Sequence, residues 1–149
     1  MISFFPDINV WLALSVIGHT HNSDSSNWLS GLAPSSRLLF TRYTQMGLLR
    51  LLSNQSVMGQ RALSVDAAWV AYDRLLLDPR LEYRHEPRDL ESEFRGITGR
   101  FAGAATKSVG DCYLLAFAKS SGSTLVTFDR ALHLLALKEH CAAVVPGAE

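Results

Sequence analysis

The feature that most constrains this chain is an alternation between two spacings of apolar residues. Short apolar runs of strand length at 3–5, 37–40, 81–84, 123–127 and 142–145 are separated by stretches with helical spacing. Helices are expected at 9–16, about 21–29, 41–52, 88–97, 109–119 and 130–137. Another runs from Ser64 to the Asp78-Pro79 break. The helix at 41–52 would place Met46, Leu49 and Leu52 on one side. The helix after Ser64 has Val65, Ala68, Trp69, Tyr72 and Leu76 at helical spacing, and 88–97 has Leu90, Phe94 and Ile97. Strands separated by helices imply a three-layer α/β/α architecture, a mostly parallel central sheet covered on both faces. At 149 residues, with no linker-like tract and no internal repeat, the chain fits one domain over 1–149.

Composition narrows the classes. Apolar residues at 48% and charged residues at 19% describe a globular protein. Fourteen basic residues balance fourteen acidic ones, which excludes a strongly basic, non-specific nucleic-acid binder. No apolar run approaches the roughly 20 residues of a membrane span. No basic stretch precedes the N-terminal apolar residues, so a secretory signal is not expected. Cys112 and Cys141 form no metal spacing and read as buried thiols of a cytoplasmic protein.

In parallel sheets, ligands bind beyond the carboxyl ends of the strands. That rule draws attention to three aspartates. Asp7 follows the first strand in "SFFPDINVWLALS", and Asp129 follows another in "LVTFDRAL". If those strands are neighbours, the two carboxylates emerge at one edge. Asp111 opens the helix "SVGDCYLLAFA". In a simple crossover this helix is expected to start from the opposite edge, and periodicity leaves open whether it tilts toward the others. Three converging carboxylates would repel one another unless a hard cation such as Mg²⁺ or Mn²⁺ joined them. Each aspartate alone has a simpler explanation. Asp7 and Asp129 can cap the helices that follow them, and Ser108-x-x-Asp111 has the spacing of a capping box.

Taken together and in order, these segments resemble PIN domains, and among them the VapC toxins of bacterial type II toxin–antitoxin modules. The likeness is carried by "PDINVWLAL", "TQMGLLRLL" from Thr44, "GDCYLLAFA" from Gly110 and "LVTFDRAL" from Leu125. One sub-branch is further matched by His19, His21, Trp28 and Leu29, by "VMG" at 57–59, by Ala68-Trp69 and by "LLLDPR" at 75–80. The resemblance implies a metal-dependent endoribonuclease, with Asp7, Asp111 and Asp129 as catalytic and metal-holding residues and Asp111 reaching the site. Asn9 and Thr127 would support the acids, and RNA would be the substrate. It also implies a cognate antitoxin, and a homodimer is expected from the apolar helices 41–52 and 64–77. One position departs from the pattern. Gln45 stands where PIN nucleases commonly carry a glutamate, and it can hydrogen-bond a metal-bound water but cannot act as a carboxylate. Glu91 and Glu93 are candidate replacements by proximity only.

Other signals are weaker. His19-x-His21 lacks further ligands for zinc. Arg42 and Arg50 flank Gln45 and are either contacts for RNA phosphates or solvated helix residues. The glycine-flanked "TGRFAGAATKSVG" reads as a flexible approach to Asp111 and lacks the frame of a phosphate-binding loop. The Trp69/Tyr72 stripe reads as core or dimer surface. A haloacid-dehalogenase phosphatase would need an aspartate two residues after Asp7, where Asn9 stands. The surviving alternative to a nuclease is a PIN-fold binding module, with Gln45 the residue that favours it.

Overall fold

A computed structural model describes residues 1–101, 103–104 and 108–148. Part of the expected approach to Asp111 therefore lies outside the described residues. Five parallel strands form one sheet in the order β3-β2-β1-β4-β5. They are β1 (Ser3–Pro6), β2 (Arg37–Phe40), β3 (Leu81–Tyr83), β4 (Thr124–Val126) and β5 (Ala143–Val144). The helices are α1 (Ile8–Ser15), α2 (Asn22–Gly31), α3 (Arg42–Leu52), α4 (Gln55–Met58), α5 (Val65–Leu75), α6 (Leu90–Thr98), α7 (Ser108–Ser121) and α8 (Arg130–Lys138). The expected α/β/α architecture is present, with every described pairing parallel. The short α4 and the 3-10 turn after it (Gly59–Arg61) carry too few apolar residues to show a period and were not expected.

The strands alternate as their pleat requires. Phe4, Leu38, Phe40 and Val126 face a core shared with α1, α3 and α5. Phe5, Leu39 and Leu125 face the opposite core, against α6, α7 and α8. Both faces are therefore apolar, the mark of a parallel sheet buried on two sides. Trp11 of α1 stacks on Phe40 with centroids 3.8 Å apart, and Tyr72 of α5 meets the same ring edge-on at 4.9 Å. Such contacts contribute about 0.5–1.5 kcal/mol beyond simple burial.

Two expected helix faces are corrected. The buried side of α3 is Thr44, Gln45, Leu48 and Leu52, whereas Met46 is 52% exposed. The apolar residues of α3 suggest one stripe, but packing against α1 and α5 turns a polar pair, Thr44 and Gln45, inward. In α5 only Ala68 and Tyr72 are buried, and Val65 and Trp69 stay exposed. The stripe on α6 holds, with Leu90 and Ile97 buried and Phe94 packed beside them. Both cysteines are free and buried. Among the described residues, no helix is long and apolar enough to cross a membrane.

Candidate active site

Pro6 ends β1, and Asp7 turns the chain into α1. Its Oδ1 accepts the backbone N–H of Asn9 at 2.8 Å and of Val10 at 3.3 Å, capping the helix. Its own N–H donates to the Val126 carbonyl at 2.9 Å, continuing the β1–β4 ladder. The second oxygen, Oδ2, accepts a short hydrogen bond from the Thr127 hydroxyl. Asp7 is only 5% exposed, and burial raises its pKa above the usual carboxylate range. Hydrogen bonds from Thr127, Val10 and Asn9 act against that rise, and the charge of Asp129 adds to it.

Thr127 is fully buried and links two acids. Its hydroxyl donates to Asp7 while its oxygen accepts the Asp129 N–H at 3.0 Å. Its backbone N–H is held by the Val144 carbonyl of β5 at 3.1 Å. Asp129, exposed at the surface, caps α8 through Oδ1, which accepts from Ala131 at 2.9 Å and Leu132 at 3.1 Å. Asp7 and Asp129 thus share the edge at the ends of β1 and β4, as their positions in the sequence imply.

The expectation for Asp111 needs correction. A helix that feeds a parallel strand runs antiparallel to it, so α7 starts at the same edge where the strands end. Gly110 confirms the placement: a Cβ there would lie 2.5 Å from the Tyr43 hydroxyl, which follows the end of β2. The pKa of Asp111 is raised by burial and then by the charge of Asp129. The capping box is not seen among the described residues. Ser108 already lies inside α7, and no hydrogen bond joins it to Asp111 among the described residues.

The supporting candidates divide. The Asn9 backbone N–H donates to Asp7, and Asn9 lines a cleft of about 290 Å³ with Ile8, Gly47, Arg50, Leu51 and Asn54. Gln45 is buried against α5, where its Oε1 accepts from the Arg42 guanidinium and its side chain lies beside Tyr72. None of its hydrogen bonds reaches an aspartate. Arg42 also lies over the Tyr83 ring, 5.0 Å from its centroid. Glu91 pairs with Arg95 at 3.0 Å and Glu93 with Lys119 at 3.7 Å, so neither is drawn to the aspartates. His19 accepts the His21 N–H through Nδ1 at 3.0 Å. The His21 ring stacks on Phe128, centroids 4.1 Å apart, between Thr127 and Asp129 in sequence. That brace across the candidate loop was missed, because no local period reports stacking between distant segments.

Among the described residues, no three His, Cys, Asp or Glu side chains form a ready-made cation cage. The donor chemistry nonetheless fits a hard divalent ion. All three candidates offer carboxylate oxygens, two have raised proton affinity, and Asp129 acts on both.

An acid-bearing edge on a five-stranded parallel sheet defines the class. The PIN domain model matches residues 4–138, and the chain belongs to that family. Its relatives there are VapC ribonucleases. It is 40% identical over 129 residues to Ribonuclease VapC41 of Mycobacterium tuberculosis, covering 84% of this chain and 88% of that protein. It is 30% identical over 126 residues to Ribonuclease VapC39 of the same organism, covering 85% and 88%. In three dimensions it is similar to VapBC2 from Rickettsia felis, with a TM-score of 0.67 at 13% identity, covering 97% of this chain and 99% of that one. At such identity the structural likeness speaks for the fold.

Proposed function

We propose that this chain, as one PIN unit over 1–149, is a divalent-metal-dependent endoribonuclease and the toxin of a toxin–antitoxin pair. The observation that carries the reading is the Thr127 link between Asp7 and Asp129, with Asp111 within reach of the same charge, in a chain so similar to a ribonuclease. Asp7, Asp111 and Asp129 would hold Mg²⁺ or Mn²⁺. The bound ion would lower the pKa of a water and stabilise charge on the RNA phosphodiester. Thr127 fixes the rotamer of Asp7, Asn9 braces it through its backbone N–H, and Gln45 anchors Arg42. Arg42 and Arg50, both exposed, would meet the RNA phosphates.

A cognate antitoxin is the partner that the likeness to VapBC complexes supports. A homodimer fits the exposed Met46, Val65, Trp69 and Val70 on α3 and α5. A cytoplasmic location goes with an RNA substrate. Incubating single-stranded RNA with the purified chain tests the reading. Cleavage is expected with Mg²⁺ or Mn²⁺ and is lost with EDTA or in Asp7→Asn; cleavage that survives Asp7→Asn would overturn it. Gln45, which is no carboxylate and whose Oε1 is taken by Arg42, favours the second reading, a binding module. That reading predicts RNA binding by wild type without metal-dependent cleavage.

A further inference from the structure

The same sheet edge carries a second set of groups that the acid site does not use. We propose that the tyrosine cluster beyond the ends of β2 and β3, with Tyr43 as its exposed face, stacks an RNA base next to the cleaved bond. The inference rests on the ribonuclease reading and gives it a substrate-binding subsite.

Position comes first. β2 lies beside β1, and Phe40 of β2 is in register with Tyr83 of β3. Tyr43, in the first turn of α3 beyond β2, lies against Gly110, the residue before Asp111, and Tyr83 ends β3, the next strand outward from β1 after β2. An RNA whose phosphate lies at Asp7 and Asp129 would carry its neighbouring bases over these rings.

The chemistry matches an unpaired strand. Tyr43 packs on Tyr113 of α7 with centroids 4.7 Å apart, and Phe94 backs Tyr113 edge-on at 5.9 Å. The Tyr113 hydroxyl is committed to Glu86 at 2.6 Å, so Tyr113 braces the cluster. Tyr43 is 40% exposed. It can lie across the start of α7 because residue 110 has no side chain, a Cβ there falling 2.5 Å from its hydroxyl. Arg42 beside it is exposed, stacks on Tyr83, and can meet a phosphate. Of the nearby carboxylates, Glu82 is paired with Arg84 at 3.0 Å and Glu86 accepts the Tyr113 hydroxyl's hydrogen bond. Aromatic faces interleaved with a cation are the means by which proteins hold single strands, with bases stacked on rings and the backbone tracked by charge.

The test uses the full chain carrying Asp7→Asn, so that RNA stays intact, and a fluorescein-labelled single-stranded RNA of about 12 nucleotides, within the usual site sizes of roughly 4–16. Affinity is read by anisotropy, and folding of each variant by thermal melting. Tyr43→Ala and Tyr43→Leu should weaken binding about tenfold, the scale of one lost base stack, while Tyr43→Phe should stay within about twofold. The salt dependence should be unchanged in Tyr43→Ala and shallower by a slope of about 0.7 in Arg42→Ala, one phosphate contact fewer. An abasic nucleotide at the stacked position should erase the difference between Tyr43 and Tyr43→Ala. Binding by Tyr43→Leu as tight as that of Tyr43, or loss in Tyr43→Phe equal to that in Tyr43→Ala, would overturn the inference. Wild type that cleaves RNA while Tyr43→Ala binds normally sinks this subsite alone. Wild type that neither binds nor cleaves RNA sinks the ribonuclease reading with it.

Discussion

Replacing Thr127 by valine removes one hydroxyl and almost no volume, so its effect isolates the link between Asp7 and Asp129. Two hydrogen bonds disappear: the one donated to the Asp7 carboxylate and the one accepted from the Asp129 N–H. A bond to a charged group contributes about 1.5–3 kcal/mol and a neutral one about 0.5–1.5 kcal/mol. Both lie at a buried residue, so water does not replace the donor that Asp7 loses. The expected destabilisation is about 2–4 kcal/mol, or roughly 5–15 °C in melting temperature for a chain of this size. The pH dependence carries a second signature. The folded pKa of Asp7 is raised above 3.8, so its ionisation already takes stability away as pH rises through that raised value. Thr127 limits the rise; without its hydroxyl the folded pKa moves higher still. The deficit of Thr127→Val should therefore be small in acid and grow as pH increases. Thr127→Ser, which keeps the hydroxyl, should retain cleavage and lose only about 1 kcal/mol for the missing methyl. Thermal melting of metal-free protein across pH, beside an RNA cleavage assay, measures all of this. A deficit independent of pH, or Thr127→Val that cleaves like wild type, would refute the linking role.

Gly47→Ala sets helix propensity against packing: alanine normally gains about 1 kcal/mol in a helix interior, but its Cβ would meet Ile8 Cδ1 at 2.3 Å and Cγ1 at 2.7 Å. Overpacking of this kind costs about 1–3 kcal/mol, so the variant should melt earlier and, because Ile8 follows Asp7, cleave RNA more slowly; a variant that melts later would show that α1 and α3 yield easily. Trp69→Glu should shift the chain toward monomer in sedimentation at micromolar concentration without lowering its stability by more than about 1 kcal/mol, since Trp69 is exposed; a wild type already monomeric would remove the proposed dimer. Asp111→Asn should leave metal-free protein as stable or slightly more stable, because a burial-raised carboxylate is neutralised, while weakening cation binding and cleavage; a variant that melts earlier yet cleaves RNA would return Asp111 to a structural role.

Strand and helix spans were legible because two-sided burial leaves a simple record: Leu38, Leu39 and Phe40 are all apolar since successive residues face different cores. The edge shared by Asp7 and Asp129 was legible too, given neighbouring strands. Helix faces were less so. Met46 looks like core by type, but Gln45 and Thr44 occupy the buried side because hydrogen bonds satisfy them there, Gln45 from Arg42 and Thr44 with the Thr41 backbone. Composition does not reveal such pairing. The tyrosine cluster escaped for a related reason: Tyr43, Tyr83 and Tyr113 come from three elements that only the sheet order brings together. The side on which α7 begins was available from handed geometry alone, since a helix returning to start a parallel strand must begin where the strands end.

That geometry also dissolves the contest between capping and chemistry for two of the aspartates. Capping uses only Oδ1 in both Asp7 and Asp129. The remaining oxygen of Asp7 is held by Thr127, and no hydrogen bond is made by the remaining oxygen of Asp129 among the described residues. A cap therefore fixes each carboxylate's rotamer through one oxygen and leaves the other outside the capping bonds. It also sets each negative charge against the positive end of a helix, which offsets part of the repulsion of gathering acids at one edge. Among the described residues Asp111 receives no hydrogen bond, and its carboxylate feels burial and the charge of Asp129. Of the three it is, among the described residues, the acid whose charge is satisfied least, and so the one with most to gain from a shared cation.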